Sequence, residues 1–163
     1  MTTSDSENAS AGESLDVAHF ELGRRGEELA AAYLDQLGYR IVAANFTLPV
    51  GRNLRGAIVN AEIDLVAYEA ATLCFIEVKT RASDWFAPPQ ANVDRRKQRQ
   101  IARAARAYRR LFAVEDDPFR FDVVTVVLPA GGDDSTQMQV EVLRNFWTER
   151  DLHRRRWAEH YYD

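Results

Sequence analysis

Two apolar segments separated by only a short polar turn constrain the fold more than any other feature of this sequence. The first, "AEIDLVAY", covers residues 61–68, and the second, "TLCFIEVKT", covers residues 72–80. Each has the length and apolar content of a strand, and a turn this short joins antiparallel neighbours. The sequence therefore predicts an antiparallel strand pair inside a larger sheet.

Charged side chains interrupt both segments. Because side chains alternate along a strand, Glu62 and Asp64 share one face of the first segment, and Glu77 and Lys79 share one face of the second. Moving an ion out of water costs several kcal/mol, whereas a net hydrogen bond returns only about 1 kcal/mol. The four groups therefore either converge on an occupied site or form a salt bridge on a solvated sheet edge. The E-x-K pattern taken alone favours the salt bridge.

The segments around this pair predict helices on both sides of it and further strands. Apolar or small residues recur at helical spacing over residues 20–37, and a second helical period covers residues 92–113. A strand, "YRIVAANF", precedes a predicted loop at 47–60, and "FRFDVVTVVL" and "MQVEVLRNF" predict two later strands. This order predicts an α/β fold with a mixed central sheet flanked by helices.

The two ends of the chain differ in composition from this body. Residues 1–18 are small, polar and acidic without an apolar period, which predicts a disordered N-terminal tail. Residues 19–147 form the predicted domain, and the charged segment 148–163 is predicted to be helical. The formal net charge is -4, but five acids and no lysine or arginine lie before Leu22, so the body itself is close to neutral.

Several classes of protein are disfavoured by what the sequence lacks. No run approaches the roughly 18 apolar residues of a membrane helix, and no signal peptide is recognisable, so we expect a cytoplasmic protein without a membrane partner. The single cysteine, Cys74, supports neither a disulfide framework nor a cysteine metal site and is expected to be buried. The three histidines lack ligand spacing, and no glycine-rich phosphate loop is present.

The second predicted helix carries a cationic stripe. At about 100° per residue, Arg96, Arg99 and Arg103 fall together on one side, where they either keep the helix soluble or contact a polyanion. Lys97 instead falls among the apolar residues and points toward the sheet. An ammonium group there needs an anionic partner, unless the side chain snorkels past the helix end.

The charged strand residues also suit metal-assisted phosphodiester hydrolysis. Asp64 and Glu77 supply the hard oxygen ligands that Mg²⁺ or Mn²⁺ accepts, and a backbone carbonyl and waters complete such a shell. Hydrolysis needs an activated water and stabilisation of the charge that builds up on the phosphate oxygens. A metal and the ammonium group of Lys79 provide both, so this chemistry gives the charge pair a role.

Several motifs occur in an order that resembles a known family. They are "GRRGEELAAAYLDQLGYRIVAANF", "AEIDLVA", "FIEVKTR", the Lys97 region and "RFDVV". Together, from about Leu22 to Val127, they resemble the YraN-like family of uncharacterised bacterial proteins, which is similar to the PD-(D/E)XK nuclease superfamily. The resemblance implies a restriction-endonuclease-like core with the order α-β-β-β-α-β. The loop at 47–60 is longer than is usual in the family, and Ala61 stands where a glycine is usual.

The resemblance also implies a set of site residues. Its catalytic positions correspond to Glu27, Asp64, Glu77 and Lys79. Three of these, Glu27, Asp64 and Glu77, would bind Mg²⁺ or Mn²⁺. Glu62 and Lys97 match less defined positions, which implies supporting contacts with metal-bound water or phosphate.

The sequence is compatible with three functions. The first is a metal-dependent nuclease acting on DNA, including branched or single-stranded structures, with Arg96, Arg99 and Arg103 contacting phosphates. The second is a non-catalytic nucleic-acid-binding adaptor with the same fold, and the third is a protein-interaction domain. A homodimer is compatible with each of them. Trp85 and Phe86 lie near the predicted site, where they either stack on a base or pack against the protein.

Overall fold

The computed structural model describes residues 5–83, 92–129 and 138–158, which form helices on both faces of a five-stranded sheet. In chain order the elements are α1 (Asp5–Gln36), β1 (Arg40–Arg52), β2 (Ile58–Glu69), β3 (Thr72–Ser83), α2 (Arg95–Leu111), β4 (Phe119–Pro129), β5 (Gln139–Trp147) and α3 (Glu149–Ala158). None of the described helices is both long and apolar enough to span a membrane. Trp85, Phe86 and the predictions made for them lie outside the described residues.

The strands lie in the order β1-β2-β3-β4-β5. β3 and β4 are parallel, and the other neighbouring pairs are antiparallel, so the sheet is mixed. The antiparallel β2–β3 pair confirms the prediction made from the two apolar segments. A parallel pair needs a crossover connection, and α2 lies in the one between β3 and β4. The order α1-β1-β2-β3-α2-β4 confirms the predicted restriction-endonuclease-like core.

Both faces of the central strands are buried because helices cover both. Phe75 packs on the α2 side with Ile101 and Tyr108, whereas Ile76 packs on the α1 side with Leu34. Such double coverage explains why "TLCFIEVKT" has apolar residues at successive positions rather than strict alternation. Cys74 is fully buried, as expected, and burial raises the pKa of its thiol to about 12.

Helix α1 approaches β3 through a glycine. Gly26 is buried, and a Cβ atom at this position would lie only 1.8 Å from Oγ1 of Thr80. Any larger residue would therefore push the helix away from the strand. This close approach sets the position of Glu27, the next residue along α1.

The start of α1 differs from the sequence prediction. The helix begins at Asp5, so residues 5–18 are helical rather than a disordered tail. The prediction relied on apolar periodicity, which reports a packed face, whereas alanine and glutamate favour a helix without one. The exposure of Leu15, Val17 and Phe20 agrees with a helix end that does not pack on the sheet. At the other end of the chain, α3 lies within the segment predicted to be helical.

The predicted loop at 47–60 is largely an extended hairpin, which corrects the sequence interpretation. β1 continues to Arg52 and β2 begins at Ile58, so only residues 53–57 connect them. Pro49 and Gly51 are residue types that commonly interrupt strands, but β1 is an edge strand, where proline is tolerated. The pairing accommodates them through a register shift between these two residues.

Candidate active site

The pairing between β2 and β3 ends at the predicted site residues. The last pair is Leu65 with Ile76, and the next step of the same register would place Asp64 opposite Glu77. Beyond that point β2 continues to pair with β1, and β3 with β4. The two strands therefore part at Asp64 and Glu77. We call this point the fork.

Asp64, on β2, is held at the fork by a hydrogen bond from β3. Its Oδ2 accepts a hydrogen bond from the backbone N–H of Val78 at 2.8 Å, and the residue is only 8% exposed. Burial, followed by the charge of Glu77, raises the pKa of Asp64 to about 7, although the Val78 hydrogen bond and Lys97 oppose the rise. A cation placed here would relieve this electrostatic cost.

Glu77 contacts both lysines of the chain. Nζ of Lys79 lies 3.1 Å from Oε1, and Nζ of Lys97 lies 3.6 Å from Oε2. Lys97 faces the sheet because Asp94 caps α2, accepting the backbone N–H of Lys97 at 2.8 Å and so placing it in the first turn. Its ammonium has the anionic partner that its helix position predicts. Glu77 is 4% exposed, and its Oε2 accepts no hydrogen bond from the described residues.

The choice of lysine at these two positions stands out against the rest of the chain. Of 21 lysine and arginine residues, only Lys79 and Lys97 are lysines. An ammonium group is a compact charge with rotatable donors, whereas a guanidinium is a planar fork that binds carboxylates in fixed geometry. This compositional signal was available in the sequence and would have raised Lys97 to the same rank as Lys79.

Glu27 reaches the fork region from α1 and is held by a residue that the sequence interpretation missed. Nδ2 of Asn45 donates to Oε2 of Glu27 at 2.7 Å and to Oε1 of Glu62 at 3.2 Å. Asn45 has a φ of 49°, a conformation that asparagine tolerates better than most residues. An asparagine inside a strand segment was the available signal, since strands disfavour it. Glu27 still lies close enough to raise the pKa of Asp64.

Glu27 and its neighbour Glu28 lie on different sides of α1. Glu27 is partly buried toward the sheet, whereas Glu28 is exposed and pairs with Arg24 on the helix surface at 2.7 Å. The structure therefore brings Glu27, Glu62, Asp64, Glu77, Lys79 and Lys97 to one region. It arranges them as two linked sets, one around Asn45 and one around Glu77.

The side chains at the fork offer carboxylate oxygens, which are the ligands that Mg²⁺ or Mn²⁺ accepts. Among the described residues, no three His, Cys, Asp or Glu side chains are grouped closely enough to hold a metal by themselves. Mg²⁺, however, commonly uses one or two carboxylates and keeps several waters or binds phosphate oxygens. Asp64 and Glu77 fit that mode, because both are buried and Oε2 of Glu77 lacks a hydrogen-bond donor. Glu27 lies nearby on Asn45.

The arginine stripe lies apart from the fork. Arg96, Arg99 and Arg103 are exposed on the side of α2 that faces away from the sheet. Arg99 and Arg103 line a cleft of about 540 Å³ between α2 and α3, together with Arg106 and His153. Arg106 pairs with Glu149 at 3.2 Å, whereas no ion pair joins Arg99 or Arg103 to another residue that the structure describes. Their guanidinium groups are therefore accessible to a polyanion.

Comparison with known proteins places the chain in a family. A model of the Uncharacterised protein family UPF0102 matches residues 26–126. The chain belongs to UPF0102. This confirms the resemblance to the YraN-like family. The matched region contains the fork residues, Asn45 and the whole β1–β2 hairpin, but neither β5 nor α3.

Individual UPF0102 proteins are similar over most of their length. One from Koribacter versatilis is 44% identical over 110 residues, which cover 68% of this chain and 71% of the relative. One from Chlorobaculum tepidum is 47% identical, over 65% of this chain and 74% of the relative. One from Chlorobium chlorochromatii is 39% identical, over 80% of this chain and 94% of the relative.

Proposed function

We propose that this UPF0102 protein hydrolyses phosphodiester bonds in DNA in a reaction that depends on Mg²⁺ or Mn²⁺. The observation that carries the proposal is the fork, where the buried carboxylates of Asp64 and Glu77 meet at the end of a strand ladder. The ammonium groups of Lys79 and Lys97 lie beside them, at 3.1 and 3.6 Å from Glu77.

Asp64 and Glu77 would hold the metal. Oδ2 of Asp64 is oriented by Val78, which leaves Oδ1 as the ligand, and Oε2 of Glu77 has no competing hydrogen-bond donor among the described residues. When bound, the metal supplies an activated water and neutralises charge on the phosphate. Glu27 adds negative charge at the edge of the site, positioned by Asn45.

Lys79 and Lys97 would supply fixed positive charge for the phosphate. The two ammonium groups would place positive charge beside the phosphate, where it would stabilise the charge that develops on the phosphate oxygens. Lys79 has the rotational freedom to orient the attacking water, since its ammonium has three donors and Glu77 uses one face of it. Lys97 approaches from α2, on the other oxygen of Glu77, and would contact the substrate.

A non-catalytic nucleic-acid-binding adaptor is the second candidate, and the exposed arginine stripe supports it. Arg99 and Arg103 lie on accessible surface and are unpaired among the described residues. In such an adaptor, binding would weaken with salt because phosphate contacts release counterions, but no cleavage would follow. Arg103→Gln would then weaken binding of all nucleic acids about equally.

Cleavage of a DNA panel tests the first candidate. Branched, flapped and single-stranded substrates are incubated with Mg²⁺ or Mn²⁺ and either the wild type or Lys79→Ala. We expect the wild type to cut and Lys79→Ala to lose at least about 100-fold in rate, as when one charge-stabilising donor is removed. Arg103→Gln serves as the control, because it removes a cation outside the fork and should retain turnover at saturating substrate.

Two results would contradict the proposal. One is equal cutting by the wild type and Lys79→Ala, which would identify a contaminating nuclease. The other is salt-sensitive binding without cutting of any substrate, which would favour the adaptor.

Amine labelling gives a further readout, because Lys79 and Lys97 are the only lysines in the chain. DNA bound at the fork should protect both of them from the reagent.

A further inference from the structure

The β1–β2 hairpin extends outward from the fork. β1 and β2 remain paired as far as Arg52 and Ile58, whereas the β2–β3 ladder stops at Leu65. The outer half of β2 is therefore bonded to β1 but not to β3. The six residue steps from Asp64 to Ile58 span about 20 Å at roughly 3.3 Å per residue.

The tip of the hairpin is held in one shape. Oδ1 of Asn53 accepts the backbone N–H groups of Arg55 and Ala57 at 2.9 and 3.0 Å. Nη1 of Arg52 donates to the carbonyl oxygen of Gly56 at 2.7 Å, and Gly56 has a φ of 78° that favours glycine. The turn is thus ordered by its own side chains and does not need a partner to define it.

This ordered tip presents a leucine between two arginines. Leu54 is fully exposed, and residues 46–61 contain Arg52 and Arg55 but no acid. A single exposed leucine is ordinary on a protein surface. Here the combination is distinctive, because an apolar side chain at an ordered apex stands between two cations, on a hairpin that extends outward from a carboxylate site.

We propose that the hairpin is a wedge that binds DNA at a discontinuity in the duplex, such as a branch point or a flap. Leu54 contacts the last base pair, as inserted apolar side chains do at unstacked base steps, and Arg52 and Arg55 bind the flanking phosphates. The inference rests on the proposed function, whose substrate class it names. It makes the projecting hairpin a determinant of which DNA structure is cut.

The length of the hairpin predicts where the cut falls. A distance of about 20 Å or slightly more corresponds to about six to eight base pairs at roughly 3.4 Å per pair. With Leu54 at the branch point, the scissile phosphodiester at the fork would lie that far inside the adjoining duplex. If the hairpin were only exposed to solvent and did not contact DNA, its length would not determine the cut position.

Binding can be measured separately from cleavage. Flapped DNA with 2-aminopurine at the branch point is titrated with the protein in EDTA, and both anisotropy and 2-aminopurine fluorescence are recorded. We expect Leu54→Ser to bind flapped DNA about five- to tenfold more weakly, to bind single-stranded DNA like the wild type, and to lose the fluorescence increase. Leu111→Ser is the matched control, since Leu111 is also exposed but lies at the far end of α2 from Lys97.

The arginines are tested through the salt dependence of binding. Each lost phosphate contact should reduce the slope of log affinity against log salt by about 0.9. Arg52→Gln and Arg55→Gln should each show this reduction.

The outcomes separate this inference from the proposed function. Equal flap binding and equal cut positions for wild type and Leu54→Ser would overturn the wedge while leaving phosphodiester hydrolysis intact. Binding to the flap that depends on Leu54, without cutting in Mg²⁺ or Mn²⁺, would support the wedge and overturn the proposed activity. A wild-type dimer in solution that Leu54→Ser converts to a monomer would identify a second copy as the partner of the tip, and would overturn the wedge.

Discussion

The fork and a second charged cluster both bury carboxylates in the same sheet, but only the second cluster satisfies them. We call the second cluster the Arg120 network; it consists of Tyr39, Glu69, Arg120, Asp122 and Arg144. Asp122 is completely buried, yet both its oxygens lie 2.9 Å from Nε of Arg120, and Oδ1 also accepts the backbone N–H of Asn145 at 2.8 Å. At the fork, one oxygen of Glu77 accepts no hydrogen bond from the described residues.

The pKa values of the acids also differ between the Arg120 network and the fork. Hydrogen bonds from Arg144 and Arg120 lower the pKa of Glu69 to about 2, against the effect of burial. At the fork, burial and Glu77 raise the pKa of Asp64 to about 7. A lowered acid pKa means that the fold stabilises the charge, and a raised one means that the fold destabilises it. The Arg120 network therefore stabilises the fold. The fork instead holds a carboxylate whose charge is destabilised, as is found at binding and catalytic sites.

Neutralising Asp122 should cause the largest loss of stability. Asp122→Asn would remove the fully buried carboxylate that pairs with Nε of Arg120 and leave Arg120 only its ion pair with Glu69. Because removing one partner of a buried ion pair is strongly destabilising, we expect a loss of about 3–5 kcal/mol in the free energy of unfolding. Urea denaturation followed by circular dichroism measures it. Arg144→Gln, at the exposed edge of the same network, should cost far less. A loss below about 1 kcal/mol for Asp122→Asn would remove the distinction between the two clusters.

The next largest loss of stability is expected when the packing of α1 against β3, beside the fork, is disturbed. Gly26→Ala places a methyl group against Thr80, so we expect a loss of roughly 1–3 kcal/mol from overpacking. Gly23→Ala is the control, because nothing lies within 4 Å of the added atom, and alanine should stabilise that helix position by up to about 1 kcal/mol. Gly26→Ala should also displace Glu27 and weaken Mn²⁺ binding measured by electron paramagnetic resonance. Equal effects of the two substitutions would show that the helix does not depend on this contact.

Much of the fold could be predicted because its signals are local. The strand segments around Asp64 and Glu77 are short and apolar, and α2 has a clear helical period, so their order and the β2–β3 pairing followed. The hairpin was missed because Pro49 and Gly51 normally interrupt strands. Whether they do so depends on β1 lying at the edge of the sheet, which is a tertiary property.

The candidate site, like the fold, could be predicted from the sequence only in part. Strand alternation assigned Asp64 and Glu77 to faces of their strands, and helix phase pointed Lys97 toward the sheet, because each of these inferences concerns one element. Whether the three groups converge stayed open in the sequence. The role of Asn45 was not predicted, since it joins acids on α1 and β2 whose distance only the packed structure sets. The Arg120 network was missed for the same reason: its members are distant in sequence and lie on several strands and the loop after α1.

The smallest effect, and the most specific to the fork, concerns neutralisation of Asp64. Its pKa is near 3.8 in the unfolded chain and about 7 in the folded one, so the folded state binds the proton more tightly. The wild type should therefore lose stability as the pH rises through this window, while Asp64→Asn has no such proton to lose. In EDTA at pH 8 we expect the variant to be more stable by roughly 1–2 kcal/mol, since one pKa unit corresponds to about 1.4 kcal/mol and the new amide offsets part of the gain.

Thermal melts from pH 4 to pH 8 should show this advantage growing with pH, whereas the exposed control Asp35→Asn should follow the wild type throughout. Mn²⁺ should then reverse the order, because a ligand that binds only the folded state raises its stability in proportion to binding, and the variant has lost one carboxylate. An Asp64→Asn variant less stable than the wild type at every pH would place Asp64 with Asp122, as a carboxylate that holds the fold together.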